Sequence, residues 1–424
     1  MTAADEPPPR IATLDILRGV AVLGILGMNA ISFAMPAPAY YNPAAYGGAE
    51  GIDLAAWVIG FVFVDGKMRG LFSLLFGASL LLVTDAAEAK GRSPAVTHYS
   101  RILWLGIFGA IHYYLIWWGD ILLHYALVAL VAYFFRRFSL QGLVVAAGLM
   151  LLYNLFINIE LSWVGIALER AATTPGAEAG TVELWRTLLS DVAPLPPAEL
   201  AADLALHRGG FVPLVTQRFA EEAWLPLQSL QVIGPETLAL MLMGMAGLRS
   251  GFLTGAWEAA RYRRIAFWCL LVGALGFAAN AAVQIRSGFD PAVIFVGMWG
   301  GTIVFRIVMV VGYAALVILL ARSGGTLVDR FAAAGRMAFS NYLGSSLVMT
   351  FLFYGWGLGF YGMVGRAALW PLILAICALI LLWSKPWLDR YLYGPLEWLW
   401  RSLSRFSPQP MRKHRPTVAI AAGA

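Results

Sequence analysis

Charged side chains are scarce in this chain of 424 residues. Asp, Glu, Lys and Arg together make up 13% of the sequence, whereas they make up about 25% of an average soluble domain. Apolar residues account for 60%, and the mean hydropathy is +0.72. This composition excludes an ordinary soluble domain and predicts a polytopic membrane protein.

Cysteine is scarce as well, because the chain contains two residues of this type, Cys269 and Cys377, both inside apolar runs. A disulfide framework and a thiolate metal site are therefore not indicated. The sequence also lacks an H-E-x-x-H motif and any pair of histidines four residues apart. We predict no metal site.

Long apolar runs recur along the chain, and they do not alternate between apolar and polar residues as the strands of a membrane barrel do. The predicted fold is therefore all-α, a polytopic membrane bundle of about ten transmembrane helices. The predicted segments are 11–35, 52–86, 99–118, 120–135, 140–167, 227–248, 264–285, 292–321, 332–356 and 367–388.

Basic residues cluster in alternate connections between these segments. The connection 36–50, for example, contains neither Lys nor Arg. By contrast, Lys90, Arg92 and Arg101 are grouped with the second connection, and Arg136 and Arg137 follow the fourth segment. The positive-inside rule then places the N- and C-termini in the cytoplasm. The formal net charge of +6 is thus explained by topology, and no nucleic-acid partner is predicted.

Four regions follow from these segments. We predict an N-terminal five-helix membrane region (1–168), a periplasmic acidic connection (169–226), a C-terminal five-helix membrane region (227–396) and a basic cytoplasmic tail (397–424). The connection holds eight acidic residues against four Arg and is expected to form a small cap. Cleavage of residues 1–39 as a signal peptide is not expected, since acidic residues interrupt its start.

Ionisable residues at membrane depth are costly and mark functional sites by default. In LDILRGVAVLGILGMN, Asp15 and Arg18 are three residues apart and can pair on one helix face. Asn29 lies further along roughly the same side. For these residues a purely structural pairing and a substrate-binding role both remain open.

A second polar group interrupts the long segment 52–86. In FVDGKMRGLFSLLFG, charged residues next to Gly66 predict a helix that is bent where it lines a cavity. Lys67 and Arg69 would then hold an anionic group such as a phosphate or a carboxylate. The alternative is that these charges are the solvated end of an interfacial segment.

The third group lies in IHYYLIWWGDILLHYALVAL, which holds His112, Asp120 and His124. Asp120 and His124 are four residues apart, so the carboxylate is expected to accept from that imidazole and to fix its tautomer. An aspartate across the short hairpin would also raise the basicity of His112, as a general base requires. We take these three as the candidate catalytic residues, with structural struts as the alternative.

The fourth group lies in the C-terminal half. Arg306 at mid-depth needs an anion, which is either Glu236 or a ligand. Arg336 and Asn341 in GRMAFSNYLGSS are expected to share a polar stripe facing the bundle. The closing GPLEWLWR, residues 394–401, is interpreted as a structural helix at the membrane interface.

Taken in order, LDILRGVAVLGILGMN, LFSLLFGASL, IHYYLIWWGDILLHYALVAL, GRMAFSNYLGSS and GPLEWLWR resemble the YeiB family of bacterial inner-membrane proteins, which have a C-terminal domain of unknown function. The resemblance covers nearly the whole chain and implies a location in the cytoplasmic (inner) membrane. It also implies a distant similarity to transmembrane acyltransferases. In that group an intramembrane histidine follows the first segment, whereas here the nearest candidates are His112 and His124.

The resulting hypothesis is transfer of an acyl group from cytoplasmic acyl-CoA to an envelope glycan, lipid or small molecule. Acyl-CoA would be a co-substrate, no cofactor would be permanently bound, and membrane lipids would surround the protein. The cations Arg18, Lys67, Arg69 and Arg336 are expected to receive the phosphates or the pantetheine-linked groups of CoA. The other predicted substrate-binding residues are Asp15, Asn29, Arg306 and Asn341. A transporter or flippase for an anionic or lipid-linked metabolite and a non-catalytic scaffold are the alternatives. The oligomeric state does not follow from the sequence.

Overall fold

The computed structural model describes residues 11–413, and every regular element in this range is helical. The all-α prediction is therefore confirmed. In chain order the helices are α1 (Ala12–Ala34), α2 (Gly51–Phe63), α3 (Lys67–Ala89), α4 (Pro94–Ile111), α5 (Leu122–Ala132), α6 (Leu140–Thr173), α7 (Ala179–Leu188), α8 (Pro197–His207), α9 (Phe211–Glu221), α10 (Leu225–Arg249), α11 (Ala259–Arg286), α12 (Pro291–Val296), α13 (Ile303–Ala321), α14 (Thr326–Arg336), α15 (Ala338–Phe353), α16 (Leu369–Arg390) and α17 (Pro395–Ser404).

Seven segments of the described chain are long and apolar enough to cross a membrane. The protein is therefore an integral membrane protein. Several other predicted segments form shorter or less apolar helices, among them α4, α5 and α15. The seven segments are Ala12–Ala34, Gly51–Ala89, Leu140–Thr173, Leu225–Arg249, Ala259–Arg286, Ile303–Ala321 and Leu369–Arg390.

The predicted bend in the second segment lies at Gly66, between α2 and α3. Gly66 has a φ of +68°, a left-handed conformation that glycine adopts without steric cost. A Cβ atom here would also collide with Cδ in the side chain of Arg306. The bend therefore brings the start of α3 against α13.

Two predicted segments are broken where a single helix was expected. Segment 292–321 consists of α12, a π-helical turn over Gly297–Gly301, and α13, because three glycines in that turn weaken the helix. Segment 332–356 is divided at Met337 into α14 and α15. There the carboxylate of Glu397 accepts hydrogen bonds from the backbone N–H groups of Phe339 and Ser340, which satisfies the new helix start.

Glycine contacts join helices from the two predicted membrane regions. A Cβ atom at Gly335 of α14 would meet the backbone oxygen of Asp15 in α1, and one at Gly244 of α10 would meet the backbone oxygen of Leu74 in α3. Small residues allow this close approach, which maximises dispersion contacts between membrane helices. Helices α1 and α3 are thereby fixed against the C-terminal half.

The acidic connection forms the short helices α7, α8 and α9, which we call the cap (residues 179–221). The end of α8 is tied to the loop after α15, where Gly355 N donates to His207 O over 2.8 Å and Arg208 Nε donates to Tyr361 O over 2.7 Å. The cap therefore packs on the same end of the bundle as the C-terminus of α1, since Gly362 N donates to Ala34 O in that loop.

Candidate functional site between two cavities

The hairpin between α4 and α5 joins a histidine to an aspartate. Helix α4 ends at Ile111, and residues 112–116 continue as a π-helical turn. Asp120 follows this turn, and its Oδ1 accepts from Leu123 N over 2.7 Å, which caps the start of α5. Its Oδ2 lies 2.7 Å from His112 Nδ1. The sequence predicted this contact across the hairpin.

The histidine of this pair is fully enclosed. The side chains of His112 and Asp120 are both 0% exposed, and the imidazole packs against the rings of Tyr342 and Trp117, with centroids 5.3 and 6.1 Å away. Within the described residues, His112 Nε2 has no hydrogen-bond partner. If Nδ1 carries the proton toward the carboxylate, Nε2 is left as an acceptor, the form that a general base requires.

The expected contact between Asp120 and His124 is wrong. Helix α5 begins at Leu122, so Asp120 lies before the helix and the spacing of four does not place the two side chains on one face. His124 Nε2 instead lies 2.9 Å from Thr237 Oγ1 of α10. His124 therefore belongs to a different polar group from His112.

A cavity of about 320 Å³, here called cavity A, opens beside this hairpin. It lies toward the C-terminal end of α1. Aromatic, amide and charged side chains share its wall. Those of interest here are Asn29, Tyr40, Asp65, Arg69, Asp120, His124, Glu236 and Arg306.

An ion triad crosses the wall of cavity A. Glu236 binds Arg69 Nη2 through Oε1 over 3.0 Å and Arg306 Nη2 through Oε2 over 2.7 Å. The side chain of Glu236 is 4% exposed, whereas the side chains of Arg69 and Arg306 are 24% and 14% exposed. Glu236 is thus the anion that pairs with Arg306. Arg69 and Arg306 remain partly accessible from cavity A.

Lys67 is not positioned to hold a ligand, contrary to the prediction. It is fully buried and does not line cavity A. Its Nζ donates to Phe61 O over 2.5 Å and lies 3.1 Å from the centroid of the Phe277 ring. Because the last carbonyls of a helix lack intrahelical donors, Lys67 is used to cap the end of α2.

A second cavity of about 330 Å³, here called cavity B, opens toward the N-terminal end of α1. Its wall is mainly apolar, and four arginines from four helices also line it: Arg18, Arg101, Arg336 and Arg401. Arg18 pairs with Asp15 over 3.0 Å, as the spacing predicted. The sequence placed Arg101 and Arg401 among the topological and interfacial charges, and their convergence was not foreseen.

Helix α17 holds the arginine-rich end of cavity B together. Trp400 Nε1 donates to Arg101 O over 2.8 Å, and the Arg101 guanidinium lies 4.2 Å from the Trp400 ring centroid. Burial raises the pKa of the Glu397 carboxyl, and hydrogen bonds from Ser340 and Phe339 oppose this shift. The terminal motif is therefore a packed part of the cavity wall as well as a structural helix.

Asn341 was expected to share a stripe with Arg336, and this prediction is wrong. The break at Met337 rotates the two residues apart. Asn341 donates to Ala334 O over 3.0 Å and accepts from Trp383 Nε1 over 3.0 Å. It joins α14, α15 and α16 and lines neither cavity A nor cavity B.

The two cavities share a wall. Ile25 of α1 and Ile121 of the hairpin line both of them. Asp120 lines cavity A, Tyr342 lines cavity B, and the ring of His112 contacts both side chains. The histidine therefore lies within the partition.

Comparisons with known proteins assign the chain to a family. A family model described as "Protein of unknown function (DUF418)" matches residues 247–407. The chain is 30% identical over 421 residues to the uncharacterized protein YeiB of Escherichia coli strain K12, covering 93% of this chain and 96% of that protein. It belongs to the YeiB family. A second relative, the uncharacterized protein YxaH of Bacillus subtilis strain 168, is 29% identical over 95% of this chain and 96% of its own length.

The family suggested by the five sequence motifs is thus confirmed. Both named relatives of this YeiB-family protein are described as uncharacterized, so they assign no activity to it. No solved structure matches the chain. The function must therefore be argued from the site itself.

Proposed function

We propose that this protein transfers an acyl group across the bacterial inner membrane, from cytoplasmic acyl-CoA to an acceptor on the outer side. The observation that carries the proposal is the enclosed pair of His112 and Asp120, which lies between cavities opening toward opposite ends of α1. Such a placement would bring two substrates to opposite faces of the wall that contains His112, and a local opening of that wall would expose Nε2 to both.

Cavity B is the proposed donor site. Arginine is the preferred partner of phosphate groups, and four arginines line this cavity. Arg101 and His112 are eleven residues apart on one helix and its continuation, which corresponds to about 16 Å at the rise of an α-helix. An extended phosphopantetheine arm spans a length of this class, so phosphates bound near Arg101 would leave the thioester close to Tyr342 and His112.

Cavity A is the proposed acceptor site, and His112 is the proposed general base. His112 Nε2 would take the proton from the acceptor hydroxyl or amine as its oxygen or nitrogen attacks the thioester carbonyl. The new ester or amide bond forms, the C–S bond breaks, and the proton passes from His112 to the departing thiolate of CoA. Asp120 would hold the imidazole in the tautomer with Nδ1 protonated and would stabilise the imidazolium.

The first experiment measures donor binding to purified protein by calorimetry, with acyl-CoA as the probe. We expect Arg101→Gln to weaken binding about 10-fold, the size of one lost charge-assisted contact. Arg263→Gln is the matched control, since Arg263 is exposed on α11 and lines neither cavity. Absence of acyl-CoA binding, together with an intact cellular phenotype for His112→Ala, would contradict the proposal.

A transporter or flippase is the second candidate, and the shared wall of Ile25 and Ile121 is the observation that favours it. Opening that wall would connect the cavities, and the buried charges would then line a path. Mass spectrometry of the envelope from a deletion strain separates the candidates. A missing acyl group indicates the enzyme, and a precursor accumulating in the cytoplasm indicates the transporter. Full tolerance of Asp120→Asn and His112→Gln would favour a scaffold.

A further inference from the structure

We propose that the cap positions His112, and that Arg218 of α9 is the positioning residue. The catalytic consequence rests on the proposed function, whereas the structural coupling does not. Arg218 lies outside both cavities and was not singled out by its sequence context. Its guanidinium group nevertheless contacts the turn that carries His112.

Arg218 is 2% exposed, and its Nη1 donates to Tyr113 O over 3.0 Å and to Tyr114 O over 3.2 Å. Among the described residues, no Asp or Glu forms an ion pair with it. A buried cation is retained only where its hydrogen bonds repay the loss of hydration. Here those bonds are directed to two backbone carbonyls of one turn.

These carbonyls require an external donor because of where they lie. Residues 112–116 form the π-helical end of α4, and the last carbonyls of a helix have no intrahelical partner. The planar guanidinium can reach adjacent acceptors in a fixed geometry. Arg218 therefore fixes the orientation of the peptide groups immediately after His112.

Further contacts from the same part of the chain clamp this turn. The Tyr113 hydroxyl donates to Glu222 O over 2.9 Å, and the Tyr114 hydroxyl donates to Ala223 O over 2.7 Å. The Tyr114 ring stacks on Phe219, with centroids 4.7 Å apart. Residues 218–223 thus bind both the backbone carbonyls and the side-chain hydroxyls of Tyr113 and Tyr114.

The clamp continues directly into cavity A. Helix α10 begins at Leu225, two residues after Ala223, and both Leu225 and Pro226 line the cavity. On the other side of the turn, Trp117 N donates to His112 O over 2.7 Å. A displacement of the cap would therefore move the acceptor cavity and the imidazole together.

The test uses the full-length protein in nanodiscs with ¹⁵N-labelled histidine. The ring nitrogens report the tautomer of His112 and its hydrogen bond to Asp120, and His112→Gln assigns the signal. We expect Arg218→Met to broaden or shift this signal, while Arg218→Lys keeps it close to wild type because an ammonium can still donate to the carbonyls. Arg208→Met is the matched control, since Arg208 ties the cap to Tyr361 and not to the turn.

Tyr114→Phe provides a milder variant in case Arg218→Met does not fold. It removes the bond to Ala223 and should shift the His112 signal in the same direction by a smaller amount. A wild-type His112 signal in folded Arg218→Met and in Tyr114→Phe would overturn the proposal. An equal change in Arg208→Met would overturn it as well, because the effect would then be a general loosening of the cap.

If acyl transfer is detected, the kcat and KM of the Arg218→Met variant provide a second test. Loss of positioning should lower kcat on the order of 10-fold to 100-fold while the KM for acyl-CoA stays within about twofold, since Arg218 does not line cavity B. An unchanged kcat would contradict the positioning role. If acyl-CoA does not bind but the His112 signal still depends on Arg218, the proposed function fails and the coupling stands.

Discussion

Replacing Glu236 by glutamine would leave two guanidinium groups facing each other without their anion. The side chain of Glu236 is 4% exposed and bridges Arg69 and Arg306 over 3.0 and 2.7 Å. Breaking a buried ion pair costs about 3–5 kcal/mol because a charge is left uncompensated. Since the two arginine side chains are 24% and 14% exposed, water in cavity A would screen part of this charge. We therefore expect a loss of about 3 kcal/mol, the lower end of that range.

The free energy of unfolding can be followed by tryptophan fluorescence in mixed micelles with increasing SDS, because the chain contains 16 tryptophans. Glu183→Gln is the matched control. Glu183 is exposed on α7, so its replacement should stay within about 0.5 kcal/mol of wild type.

A double variant separates electrostatics from a lost contact. Adding Arg306→Leu to Glu236→Gln removes one of the two unpaired cations, so part of the stability should return and the two effects should not add. The reasoning is refuted if Glu236→Gln unfolds like wild type. It is also refuted if the double variant loses the sum of both single effects, because the three charges would then act independently.

Two further predictions concern helix packing and capping. Gly335→Ala should lower the free energy of unfolding by about 1–3 kcal/mol, because the new Cβ would meet the backbone of Asp15. Gly344→Ala is the control and should be neutral, since nothing lies within 4 Å of a Cβ at that position. Equal stability of the two variants in the same SDS assay would contradict this packing. Glu397→Gln should cost about 1 kcal/mol by weakening the cap of α15. The backbone amide of Phe339 should then exchange its hydrogen faster than in wild type, and slower exchange would contradict this prediction.

Local spacing was sufficient to predict some features of the fold and the site. The apolar runs predicted the helices, and a glycine next to charged residues predicted the bend at Gly66. The ion pair of Asp15 and Arg18 follows from their spacing of three within one helix. The hairpin is so short that the contact between His112 and Asp120 could also be predicted. In each case the partners are close in sequence, so the local backbone largely decides the geometry.

Features decided by distant contacts could not be predicted from spacing. The break at Met337 depends on Glu397 reaching the start of α15, which separates Asn341 from Arg336. Asp120 does not contact His124, because it lies before the first residue of α5 and caps that helix. Arg101 was assigned to topology, and only the packing of α17 on α4 shows that it lines a cavity. A single sequence contains no direct signal for such long-range pairings.

The packing of the cavity walls supports acyl transfer over transport as the proposed function. Transport by alternating access requires one group of helices to move against another. Here α1 meets α14 through Gly335, and α3 meets α10 through Gly244, at backbone contact. Interfaces packed this closely resist sliding, because a small displacement produces overlap or loses dispersion contacts. A transferase needs a smaller change. His112 is fully enclosed and lines neither cavity, so a local rearrangement of the wall around its Nε2 would have to expose it, without moving one group of helices against another.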